Sequence, residues 1–101
     1  MRSQDRAAMV EGLTVSLGRL GKGQKAEVVG LDEQGVVSTL QAGELERRLI
    51  EMGLVEGAHL EVLHEGFPGR DPIAVRVDDH TVALRRAEAA AVLVRLPKAA
   101  V

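Results

Sequence analysis

Between Lys25 and Leu96 the chain repeatedly alternates apolar and polar residues over short runs, then breaks at a turn. Ala26 and Val28 alternate with Lys25 and Glu27, and Leu60 and Val62 with His59 and Glu61. Ile73, Val75 and Val77 alternate with Ala74 and Arg76, Val82 and Leu84 with Thr81 and Ala83, and Val92, Val94 and Leu96 with Leu93 and Arg95. Successive side chains of a strand point to opposite faces, so each run reads as a half-buried strand. The breaks carry turn chemistry: Asp32-Glu33-Gln34-Gly35, Gly66-Phe67-Pro68-Gly69-Arg70-Asp71-Pro72, and Asp78-Asp79 as a tight turn. Leu17 and Leu20, followed by Gly21-Lys22-Gly23, read as one turn and then a loop, and Ala87–Ala91 as a short Ala-rich turn before the last strand.

One segment follows a different period. Ala42, Leu45, Leu49 and Met52 form a single stripe at helical spacing, which predicts a helix over Thr39 to Met52. Ser38 and Gln41 are spaced as a capping box, with Val37 and Ala42 at the staple positions. Glu44 and Arg48 stand four apart in the favourable order, and Gly53 supplies a residue that can end the helix. Gly43 is unfavourable inside a helix and admits a later start at Glu44. About five short strands with one helix inserted after the first predict a mainly β fold, a small, partly open barrel.

At 101 residues and 10.8 kDa the chain has room for one domain. We expect a weakly ordered leader over residues 1–16, the domain over 17–97 and a tail over 98–101. Residues Met1 to Val15 form no continuous apolar run of the signal-peptide kind, and no stretch is long enough to span a membrane, so the expected compartment is the cytoplasm. A formal net charge of -2 and a single aromatic residue, Phe67, argue against a nucleic-acid surface, which needs basic excess and stacking platforms. The absence of Cys excludes disulfides, thiolate zinc sites and iron–sulfur clusters.

Taken together, these segments resemble the ferrous iron transport protein A (FeoA) domain family. Leu17-x-x-Leu20-x-x-Gly23-Gln24-x-Ala26-x-Val28 is similar to its opening turn and first strand. Arg48-Leu49-Ile50-Glu51-Met52-Gly53-Leu54, followed by Gly57, resembles the family's helix end, and Gly69-x-Asp71-Pro72-Ile73 its hairpin. Val82-Ala83-Leu84-Arg85-Arg86-x-Glu88-Ala89 resembles a further motif, and Val92-x-Val94 fits the last strand. Arg70 inside the hairpin motif and the long connection from Leu31 to Glu44 are departures from the family pattern. The resemblance implies an SH3-like barrel in the cytoplasm that assists the FeoB-type iron permease and is not an enzyme. The same fold is appended to iron-dependent repressors, which makes a metal-sensing or interaction domain the alternative, with transition metal ion binding.

The residues themselves show little chemistry. No catalytic motif, phosphate loop or resident cofactor is expected, and Ser38 is better used as a cap. His59 and His64, five apart, are expected on opposite strand faces, while Asp78 and Asp79 beside His80 could hold at most a weak ferrous or other divalent ion. The doublets Arg47-Arg48 and Arg85-Arg86 read either as solvated faces or as docking groups for an acidic patch on a partner or for lipid headgroups. More informative are apolar residues that miss the core faces, drawn from Ile50, Leu54, Val55, Leu63, Phe67 and Leu93. Of these, Ile50, Leu54 and Val55 at the helix exit, rimmed by Arg47 and Glu51, are the candidate interface for the permease or for a second copy in a homo-oligomer.

Overall fold

Strand alternation builds one curved antiparallel sheet. The computed structural model describes residues 14–36 and 41–97. The strands are β1 (Thr14–Ser16), β2 (Lys25–Leu31), β3 (His59–Glu65), β4 (Ile73–Val77), β5 (His80–Leu84) and β6 (Val92–Arg95). Among the described residues they form a six-stranded sheet in the order β1-β6-β2-β3-β4-β5, an open version of the expected barrel. β1 is one strand more than the sequence reading assigned and falls inside its leader. It pairs Val15 with Val94 across β6. A 3-10 turn spans Leu17–Arg19, α1 spans Glu44–Glu51, and α2 spans Arg86–Ala89 where the Ala-rich turn was expected.

The inward faces are those the alternation marks. Val28, Leu60, Val62, Ile73, Val75, Val77, Leu84, Val92 and Val94 are all buried, and Leu17, Leu45 and Leu49 close over them from the turn and helix. Burying each such side chain contributes about 1.5–3 kcal/mol.

Two bulges change the simple period. The register shifts at Val29 in β2 and at Leu63 in β3, and both residues end up half-buried rather than fully outward. An extra residue in one strand inverts the facing of everything beyond it. Glu65 consequently lies opposite the buried Ile73, and His64 lies opposite Ala74, on the same face as Glu61 and His59. The expectation that His59 and His64 point to opposite faces is corrected by this bulge.

The helix is shorter than expected. It begins at Glu44, with Gly43 as N-cap at φ 84, so Ala42 is exposed outside the stripe and Gln41 precedes the helix. Ser38, Val37 and Thr39 lie outside the described residues. The N-terminal N–H groups are capped from a distance: the Glu33 carboxylate accepts from Gly43 N and, at 3.1 Å, from Glu46 N. A carboxylate at the positive end of a helix is favourable twice over, through hydrogen bonds and through the dipole. The expected Glu44–Arg48 pair is replaced by Glu44 with Arg47, whose guanidinium reaches both carboxylate oxygens at 2.8 and 2.9 Å.

Candidate functional site

The exit of α1 is built by Gly53. Its φ of +92 turns the chain sharply, and the hydrogen bonds Gly53 N–H to Ile50 O (2.9 Å) and Leu54 N–H to Leu49 O (3.0 Å) form a Schellman cap. Such a cap brings the residue after the glycine back against the last helical turn. Leu54 is therefore fully buried with Leu49 in the core, which corrects its expected place on the surface. Ile50 and Val55 do stay on the surface, 49% and 43% exposed, and Arg47 and Glu51 are exposed on the helix that carries Ile50. The candidate interface thus keeps Ile50, Val55, Arg47 and Glu51 and loses Leu54. Among the other apolar candidates, Phe67 is 95% exposed on the β3–β4 loop, whereas Leu63 and Leu93 are half-buried.

The same helix end is held by a side chain from the far hairpin. His80 Nε2 lies 2.7 Å from Met52 O and must carry the hydrogen, since a carbonyl can only accept. This bond, together with Asp79 and Asp78 nearby, raises the His80 pKa above its ordinary value. Asp78 is engaged elsewhere: its carboxylate accepts from His59 N at 3.1 Å and its N–H donates to His59 O at 2.8 Å. Asp78 in the turn beside His80 therefore braces the fold, and among the described residues no three His, Asp or Glu side chains converge as a metal site would need.

Arg86 is the residue the sequence reading placed least well. It is neither a solvating charge nor a docking group. Its guanidinium donates to Gly18 O (3.0 Å), Leu20 O (2.7 Å), Arg70 O (2.8 Å) and the Glu65 carboxylate (2.7 Å), and its backbone N–H donates to Asp71 (2.9 Å). The bulge at Leu63 is what turns Glu65 toward it. Gly18 lets the 3-10 turn approach α2, for a Cβ there would stand 2.8 Å from Arg86 O. Arg47, Arg48 and Arg85 remain exposed.

A groove of about 690 Å³ crosses the outer face of the sheet. It is lined by the cross-strand row Lys25, Glu61 and Arg76, by Glu27, His59 and Arg95, and by Leu96 and Pro97. Charges of both signs alternate across it, with Arg76 and Glu61 paired at 2.6 Å. No strong single-sign field of the kind that steers nucleic acid results. Among the described residues no helix is long and apolar enough to cross a membrane.

Comparison with known proteins agrees with this architecture. The family profile described as FeoA domain matches residues 15–96. A fusion of Fe(2+) transport protein A with the Fe(2+) transporter FeoB, from Porphyromonas gingivalis, is 35% identical over 80 residues, which are 79% of this chain and 8% of that protein. The chain thus spans a small part of that relative's length. The zinc complex of Stenotrophomonas maltophilia FeoA, described as a procaryotic SH3 domain protein, superposes with a TM-score of 0.64 at 29% identity, covering 79% of this chain and 88% of that one. A manganese-dependent transcriptional repressor shares the fold alone, with a TM-score of 0.66 at 22% identity over 84% of this chain and 42% of its own.

Proposed function

The chain belongs to the FeoA domain family, and on that premise we propose that it is a cytoplasmic accessory protein of ferrous iron uptake that acts by contact with a FeoB-type permease. Ferrous iron is the permease's cargo in this reading, and the chain contributes binding rather than catalysis. The observation that carries the reading is the relative in which the two proteins are one polypeptide. Fusion raises the effective concentration of one part at the other, which is useful when the two must touch.

The contact surface we propose is the α1 exit, with Ile50 and Val55 at its centre and Arg47 and Glu51 at its rim. Apolar side chains half exposed on a rigid, Schellman-capped turn lose little conformational entropy on docking, and a polar rim suits a reversible interface. Ile50→Glu tests it. The free domain should change in stability by about 0.5 kcal/mol or less. Pull-down of the permease and iron uptake should both fall, because an ionised carboxylate desolvated without a partner costs several kcal/mol in an interface. A folded variant that binds the permease normally removes this surface from the proposal. Failure of the wild-type chain to bind the permease removes the function itself.

A second reading, a metal-sensing or interaction domain related to the repressors' C-terminal domain, is favoured by the zinc held in the Stenotrophomonas structure. Equilibrium dialysis against ferrous and zinc ions separates the two, since a sensor must bind metal stoichiometrically.

A further inference from the structure

We propose that two copies of this chain pair through the outer edge of β5, as an antiparallel two-fold ladder centred on Val82. β5 ends the sheet and pairs only with β4 among the described strands. In the β4–β5 hairpin Val77 pairs with His80 across the Asp78-Asp79 turn, so His80, Val82 and Leu84 direct their backbone groups toward β4. Thr81 and Ala83 direct theirs away from it. Both residues are exposed, and among the described residues neither has another backbone partner.

An edge of this kind invites another strand. β5 carries no lysine, proline or bulge to repel one. What points to a second copy is self-complementarity. With the two-fold axis at Val82, Thr81 of one chain faces Ala83 of the other. The two exchange both N–H···O bonds, and symmetry repeats the exchange. Val82, which is half-buried, meets its own counterpart as a non-hydrogen-bonded pair, the closer-packed kind. One step further out, Asp79 faces Arg85 of the partner subunit, twice. Asp79 is 99% exposed apart from its 3.5 Å approach to His80 Nδ1, and Arg85 is exposed. No like charges face each other in this register: the inward positions set His80 against the buried Leu84 of the other copy. Arg85 N–H is already held by Glu88 at 3.1 Å, so the ladder stops there and only the side chains pair. A ladder this short makes a weak, concentration-dependent dimer.

Sedimentation velocity on the full chain from about 10 µM to about 1 mM tests it. A concentration-dependent dimer is expected, and Ala83→Pro should abolish it, because the lost N–H is the one aimed outward and the β4 ladder stays intact. Asp79→Lys should weaken association by about tenfold or more, as should Arg85→Asp, and the Asp79→Lys/Arg85→Asp double variant should restore it. The restoration reads the register itself, which a general effect on folding would not reproduce. The proposal is overturned by a chain that stays monomeric throughout, by a dimer indifferent to Ala83→Pro, or by a double variant no better than the singles.

Discussion

The imidazole of His80 occupies the space that a side chain at Gly53 would need: a Cβ there would lie 2.8 Å from His80 Cε1 and 3.2 Å from Nε2. Gly53 is thus required twice, once for its left-handed backbone at φ +92 and once for the ring packed against it. Through this contact the β4–β5 hairpin sets the angle at which the chain leaves α1. The exposed pair Ile50 and Val55 therefore depends on a residue far from both in sequence.

Gly53→Ala should destabilise the domain by about 1–3 kcal/mol, since the strained conformation and the clash act together. Thermal melting of the variant checks it. A melt like wild type would mean that the turn relaxes freely and does not fix the helix exit.

His80 makes stability depend on pH in a defined direction. Its folded pKa is raised, chiefly by the bond to Met52 O at the negative end of α1, so the protonated ring favours the folded state. The contribution is fully present below the ordinary histidine value of 6.5 and is lost as pH rises through the raised folded value. Melting temperature should fall across that interval in the wild type and change less in His80→Gln. An NMR titration should place the His80 ring above its ordinary pKa.

Arg86→Ala should cost about 2–4 kcal/mol, because several carbonyls and a carboxylate with a side chain only 21% exposed lose their donor at once. Arg86→Lys should recover only part of this, as one ammonium cannot span carbonyls from the 3-10 turn and the β3–β4 loop together. Urea unfolding of both variants gives the comparison.

Leu49→Ala and Leu54→Ala should each cost about 2–5 kcal/mol, as truncations in a packed core do. Both side chains are essentially inaccessible, 1% and 0% exposed. Ile50→Ala, one position from Leu49, should stay within about 0.5 kcal/mol. Equal effects at Ile50 and Leu54 would contradict the burial pattern that separates surface from core here.

Glu33→Ala should cost about 1 kcal/mol and fray the first turn of α1, because the carboxylate caps two of its N–H groups. Amide hydrogen exchange at Glu46 should quicken before that at Leu49.

Local periodicity in the sequence was enough to mark the inward faces of β2 to β6 by alternation and the stripe of Leu45 and Leu49 by helical spacing, while residue type marked the cap at Gly53 and ordered motifs the family. These features depend on residues a few positions apart, where strand and helix periods operate directly. Leu54 could have been assigned inward on the same grounds, since a Schellman glycine folds the following residue onto the last helical turn. The bulge at Leu63, the reach of Glu33 to α1, the seat of His80 on Met52 and the hydrogen-bond cluster around Arg86 have no such local signature. Each is decided by which distant backbone groups are left without partners once the sheet has closed over its core. Buried or half-buried carbonyls and N–H groups must be satisfied, and the long polar side chain that folding brings within reach takes that role whatever its neighbours in sequence suggest.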